Sequence, residues 1–223
     1  MELNEYPDED MMYLALADRL SSELRRALDR RERALFVVPG GSTPGPIFDI
    51  LSDIDLDWDR IDILPSDERW VPEDDPRSNA GLLQRRLLTG QAAAARLIPL
   101  FMPDRSPEDA LVALTETVGA LLPVDVALLG MGADLHTASL FPEGDRLAEA
   151  MSSDAPPLLP MRAPAAPEPR MTLTLPVLKE AFALHIVITG SEKREALDLA
   201  RGLDAKAAPV IALLGQAQIH WAE

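Results

Sequence analysis

Short apolar runs alternate along this chain with longer stretches whose apolar residues recur every three or four positions. From Met11 to Leu28, the spacing of Leu14, Ala17, Leu20, Leu24 and Leu28 predicts an amphipathic helix. Ala34 to Val38 is continuously apolar and predicts a buried strand ending at Pro39-Gly40-Gly41. Pro44 predicts a helix start, because the N–H that proline lacks is not needed in a first turn. Ile61 to Leu64 reads as a second strand, and Ser78 as the N-cap of a helix through Leu88. Leu97 to Phe101 reads as a short strand. Ser106-Pro107-Glu108-Asp109 resembles a capping box whose helix runs to Leu122. Val124 to Leu129 is a further apolar strand.

Ala155 to Pro169 holds six prolines, which excludes a regular helix and argues against an interior strand. It reads either as a linker or as a loop crossing one face of a single domain. The loop is preferred, because the alternation resumes with too few elements for a second core. Met171 to Leu175 reads as a strand, Val177 to Ala181 as a short helix, Leu184 to Thr189 as a strand, and a helix starts at Glu192. Alternating β and α with apolar strands predicts a mostly parallel central sheet with helices on both faces, as one domain over residues 1–223.

Composition narrows the function. The 223 residues are 47% hydrophobic and 26% charged, as in an ordinary soluble globule, and the net charge is −16. That charge argues against nucleic acid and anionic membranes as partners. It also means that an anionic ligand must be held by a local cationic cluster. With no cysteine, thiolate catalysis and cysteine-bound zinc are excluded. No apolar run reaches membrane-span length and the acidic start lacks a signal-peptide profile, so a cytoplasmic protein is expected.

The candidate chemistry lies at strand ends, where open α/β sheets bind ligands. Gly130-Met131-Gly132-Ala133-Asp134-Leu135-His136 follows an apolar strand, and its glycines allow a tight turn that carries a carboxylate and an imidazole two residues apart. His136 is one of three histidines; it is either a core histidine or a functional one, and Asp134 beside it favours function. No second histidine lies at metal-ligand spacing, so no metal is expected. Ser139 lacks a nucleophile elbow and is read as capping the next helix. Gly40-Gly41-Ser42-Thr43-Pro44 is a candidate anion loop or a plain tight turn. Asp67-Glu68-Arg69 is a candidate catalytic cluster or a solvated loop, followed by Ser78-Asn79. Arg170 heads a strand, and Lys193 sits in the first turn of a helix, where the dipole disfavours it unless an anion is near.

Together these segments resemble the 6-phosphogluconolactonase family, of the sugar-isomerase-like group that also contains glucosamine-6-phosphate deaminase. The resemblance covers most of the chain in order: Gly40 to Pro44, Asp67 to Pro72 with Ser78-Asn79, Gly130 to Pro142, Pro164 to Thr174, and Gly190 to Lys193. Leu135 departs from it, standing where the usual pattern has glycine. Leucine there carries a cost if the position needs positive φ. The stretch from Gln216 to Glu223 is short compared with the usual tail.

The resemblance implies a Rossmann-like α/β fold and hydrolysis of a phosphorylated sugar lactone in the oxidative pentose phosphate pathway, with no cofactor. It implies His136 as general base toward water, a task that suits an imidazole with a reference pKa of about 6.5. Asp134 would orient the imidazole or hold ring hydroxyls, and Arg69 would stabilise the oxyanion. Gly41, Ser42, Thr43, Arg170 and Lys193 would hold the phosphate, with Asp67, Glu68 and Asn79 as further pocket candidates. Against a deaminase, this chain has Asp67-Glu68-Arg69-Trp70 and Leu135-His136-Thr137-Ala138 where the deaminase strings read Asp-Glu-Tyr and Gly-His-Ile-Ala. A non-catalytic phosphosugar-binding regulator would need a partner module, and none is evident.

Overall fold

The computed structural model describes residues 2–200 and 202–223. The chain starts with β1 (Glu2–Glu5) and α1 (Glu9–Leu28), then β2 (Ala34–Val38) and α2 (Gly45–Ser52). Next come β3 (Ile61–Pro65), β4 (Asp67–Arg69), α3 (Asn79–Arg86), β5 (Arg96–Leu97), α4 (Pro107–Gly119) and β6 (Val126–Gly130). The rest is α5 (Leu147–Ala150), β7 (Leu158–Ala163), β8 (Ala166–Leu173), α6 (Leu175–Lys179), β9 (Ala183–Thr189), α7 (Ser191–Ala200) and β10 (Gln218–Ala222). Side chains start the predicted helices: Asp8 accepts the Met11 N–H, Ser78 the Gly81 N–H and Ser106 the Asp109 N–H.

Seven strands form one parallel sheet in the order β1-β10-β9-β6-β2-β3-β5. Alternation along the strands divides the core in two. Leu35 and Val37 of β2, with Ala127 and Leu129 of β6, face one apolar cluster. Ala34, Phe36 and Val38, with Val126 and Leu128, face the other, which α1 and α2 cover. Because both faces are buried, these strands read as continuous apolar runs rather than alternating ones. No helix among the described residues is long and apolar enough to cross a membrane.

The proline-rich stretch is neither linker nor loop. It folds into β7 and β8, an antiparallel hairpin that β4 extends into a second, three-stranded sheet. Pro160 is tolerated because β7 is an edge strand. Pro167 and Pro169 precede the part of β8, Arg170 to Thr172, that β4 pairs.

Other boundaries move for local reasons. The strand predicted from Leu97 to Phe101 shrinks to Arg96–Leu97, and its pairing with β3 ends with the Ile98 N–H donating to the Ile63 carbonyl at 2.8 Å. The helix predicted through Leu122 ends at Gly119, ahead of Pro123, which disfavours helix at the residue before it. The helix predicted through Leu88 ends at Arg86. Leu175 leaves the predicted strand to begin α6, with Pro176 in the first turn.

Candidate active site

The loops that leave the carboxyl ends of β2, β3, β6 and β9 meet β8 around one cleft of about 230 Å³. Its lining includes Gly41, Ser42, Thr43, Asp67, Arg69, Asn79, His136, Arg170 and Lys193. Residues spread over most of the sequence therefore share one cavity at the strand ends, as the fold class requires.

The histidine loop is folded tightly. Leu135 N–H donates to the Gly132 carbonyl and Gly132 N–H to the His136 carbonyl, both at 3.0 Å. Leu135 adopts φ +66°, the left-handed conformation that explains glycine in the usual pattern. Here its side chain is 8% exposed within the larger apolar cluster, and its carbonyl accepts the Val210 N–H at 3.1 Å. Burial thus offsets the backbone cost. Gly132 is required for space: a Cβ there would lie 2.2 Å from His136 Nδ1.

His136 Nδ1 hydrogen-bonds to Asp134 Oδ1, and its ring centroid lies 4.5 Å from that of Phe141. Burial pushes the Asp134 carboxyl up, but the His136 hydrogen bond and charge outweigh it and the net shift is downward. Asp134 is held as a carboxylate, so it fixes the ring with Nδ1–H donating and Nε2 as the basic nitrogen. Nε2 makes no hydrogen bond to a described residue. Asp134 does not itself line the cleft and reaches it through the imidazole.

Arg69 Nη1 donates to the Arg77 carbonyl at 2.6 Å and to Asn79 Oδ1 at 2.9 Å. Asn79 Nδ2 donates to the Asp67 carbonyl at 2.7 Å. A Cβ on Gly40 would lie 1.9 Å from Asn79 Oδ1, so the anion loop packs directly against this amide. Gly41 has φ +92°, a second backbone position suited to glycine. Arg170 is 9% exposed, its guanidinium carbon 5.6 Å from the Phe141 ring centre and its Nη1 3.8 Å from Asp67 Oδ2. Burial pushes its pKa down, opposed by the Asp67 charge. Lys193 has no ion-pair partner among the described residues.

Two sequence expectations need correction. Glu68 is not a pocket residue: it is fully buried and accepts the N–H groups of Arg69, Asn79 and Ala80 and the Ser78 hydroxyl. It satisfies the otherwise unpaired N–H groups at the start of α3. Burial pushes its pKa up against those hydrogen bonds. Ser139 caps no helix; its hydroxyl donates to Asp67. Sequence reasoning also passed over Ser66, which donates to Asp67, and Phe141, which contacts both His136 and Arg170. Phe141 lies in the motif already singled out, but an aromatic there reads as core. No group of three or more His, Asp or Glu side chains among the described residues is arranged to hold a metal ion.

Comparison with known proteins shows the family. The family model for glucosamine-6-phosphate isomerases/6-phosphogluconolactonase matches residues 7–221. A 6-phosphogluconolactonase of Mesorhizobium japonicum is 42% identical over 87% of this chain and 83% of its own. One of Pseudomonas aeruginosa is 43% identical over 92% of this chain and 88% of its own. The crystal structure of a 6-phosphogluconolactonase from Shewanella baltica superposes with a TM-score of 0.96 at 30% identity, covering 100% of this chain and 98% of that one. A monomeric glucosamine-6-phosphate deaminase shares the fold, with a TM-score of 0.82 at 16% identity over 100% of this chain and 98% of its own. The chain belongs to the glucosamine-6-phosphate isomerase/6-phosphogluconolactonase family.

Proposed function

We propose that this protein hydrolyses 6-phospho-D-glucono-1,5-lactone to 6-phospho-D-gluconate by general-base activation of water. The observation that carries the reading is the orientation of His136, held at Nδ1 by Asp134 inside a cleft that three cationic side chains also line. The named relatives support the substrate class.

A lactone is an activated ester, so water and a base suffice to open it. His136 Nε2 takes the proton as water attacks C1. Arg69, docked by Arg77 and Asn79, faces the oxyanion that develops there. The protonated imidazole, steadied by the Asp134 carboxylate, returns its proton to the departing ring oxygen. Gly41, Ser42, Thr43, Arg170 and Lys193 hold the phosphate, reversing locally the field of an acidic protein. The reading takes residues 1–223 as one domain acting in the cytoplasm on a small phosphorylated lactone, without cofactor, nucleic acid or membrane. A cleft lined from Gly41 through Lys193 supports the single unit.

The test is acid release from freshly made 6-phosphogluconolactone by the purified protein, with spontaneous ring opening subtracted. Glucosamine 6-phosphate and ammonia release serve as the control for deaminase chemistry. Saturable lactone hydrolysis without ammonia release is expected; ammonia release, or lactone binding without turnover, would reverse the reading.

A further inference from the structure

Ser139 takes no part in this chemistry, yet it is completely buried and its hydroxyl donates to Asp67 Oδ2 at 2.5 Å. Ser66 Oγ donates to Asp67 Oδ1 at 3.0 Å. Each oxygen of Asp67 therefore already accepts a hydroxyl. Arg170 Nη1 stands 3.8 Å from Asp67 Oδ2, close enough to feel its charge and too far for a hydrogen bond. Arg170 Nε is buried with no hydrogen-bond partner among the described residues. An unsatisfied buried donor is costly, and this guanidinium lines the cleft.

We propose that Ser139 is a positioning residue for phosphate recognition; the inference rests on the phosphate-binding role of Arg170 proposed above. Its hydroxyl occupies Asp67 and keeps that carboxylate from closing onto Arg170. The guanidinium stays under-satisfied and ready for the substrate phosphate. Without the hydroxyl, Asp67 Oδ2 is free to form a close ion pair with Arg170, which the phosphate must then break. The loss falls on binding of the phosphorylated substrate and not on the chemical step. Ser139 also ties the histidine loop to β8, but that bond runs from its backbone N–H to Thr172 Oγ1 at 3.1 Å and survives a side-chain change.

A double-mutant cycle on Ser139 and Arg170 tests this, with kcat and KM measured on 6-phosphogluconolactone and on unphosphorylated gluconolactone. Ser139→Ala is expected to raise KM for the phosphorylated lactone about tenfold, equivalent to roughly 1.4 kcal/mol. Its kcat, and its KM for the unphosphorylated lactone, stay within about twofold. Ser139→Thr, which keeps a hydroxyl, restores binding. In an Arg170→Ala background, Ser139→Ala adds nothing further. Ser139→Cys fills the same space with a weak donor and carries the same expectation if alanine prevents folding. Equal losses on both lactones, a loss confined to kcat, or a fully additive effect in the Arg170→Ala background would overturn the positioning role. Arg170→Ala alone tests the underlying reading: if it fails to discriminate the two lactones, Arg170 does not read the phosphate, and that failure is seen without any change at Ser139.

Discussion

This chain contains two histidine–carboxylate arrangements that share residue types and little else. His136 and Asp134 sit in a glycine turn at the end of β6, with the His136 side chain 30% exposed at the cleft. His185 and His220 lie on adjacent strands β9 and β10 and are fully buried. Tyr6 Oη meets His220 Nδ1 at 2.9 Å, His220 Nε2 meets His185 Nδ1 at 3.0 Å, and His185 Nε2 meets Glu23 at 2.7 Å. Every ring nitrogen of the buried pair is committed. Burial, then the His185 and Arg19 charges, pushes His220 down to about 3. The cleft histidine keeps one nitrogen without a partner among the described residues, beside solvent. Position at a strand end, rather than a nearby carboxylate, separates an imidazole that can exchange protons from one that pins strands together.

The sharpest way to break the comparison is to delete one ring from each. His136→Ala should lower kcat/KM by roughly 10²–10⁴ and leave the melting temperature nearly unchanged. His185→Ala should do the reverse: near-normal activity per folded molecule, but a loss of about 1–3 kcal/mol in denaturant unfolding from the stranded partners. Normal turnover by folded His136→Ala, or a catalytic loss in fully folded His185→Ala, would erase the distinction.

Gly132→Ala tests whether the imidazole must stand where it does. The added Cβ would collide with the His136 ring and displace it. A misplacement on the order of 1 Å is expected to cost about 10²-fold in kcat. Unchanged kcat would show that the ring tolerates other positions.

Acid exposes the buried pair. The folded-state pKa of His220 lies near 3, below the ordinary 6.5. Between these values the unfolded chain binds the extra proton, so stability rises with pH across the window. The protein is destabilised as pH falls below about 6.5, by several kcal/mol as it approaches 3. His220→Gln should flatten that part of the Tm–pH curve relative to wild type. Parallel curves for the two proteins would place the acid sensitivity elsewhere.

The smallest effect is expected at Leu135. Leu135→Gly relieves a left-handed leucine, worth about 1–2 kcal/mol, and loses a buried side chain worth about 1.5–3 kcal/mol. Net stability should change by about 1 kcal/mol or less, with kcat within a few-fold, in parallel unfolding and kinetic measurements. A loss several times larger would mean that the side chain anchors the histidine loop more firmly than its burial accounts for.

The cleft was legible where local chemistry decides structure. Apolar runs ending in glycine marked β2 and β6, and the Asp134-Leu135-His136 turn followed from them. What stayed hidden depends on partners far along the chain. The prolines of β7 and β8 argue against a strand until it is known that β7 lies at an edge. Glu68 looks like part of a solvated charge run; only the start of α3, ten and more residues on, supplies the N–H groups that draw it inside. Ser139 and Asp67, 72 residues apart, meet only once the histidine loop has packed on the second sheet. β1 was missed because an edge segment such as Glu-Leu-Asn-Glu carries no apolar run, and β10, which lies between β1 and β9, because Gln218 and His220 interrupt its apolar residues.

Recognition of a phosphorylated lactone by this cleft is open to one direct measurement. The measurement is kcat/KM on 6-phosphogluconolactone and on unphosphorylated gluconolactone, for wild type and for Lys193→Ala, with spontaneous hydrolysis subtracted. Loss of one charge-assisted bond to phosphate should lower the ratio of the two values on the order of tenfold. A ratio equal to that of wild type would contradict the claim.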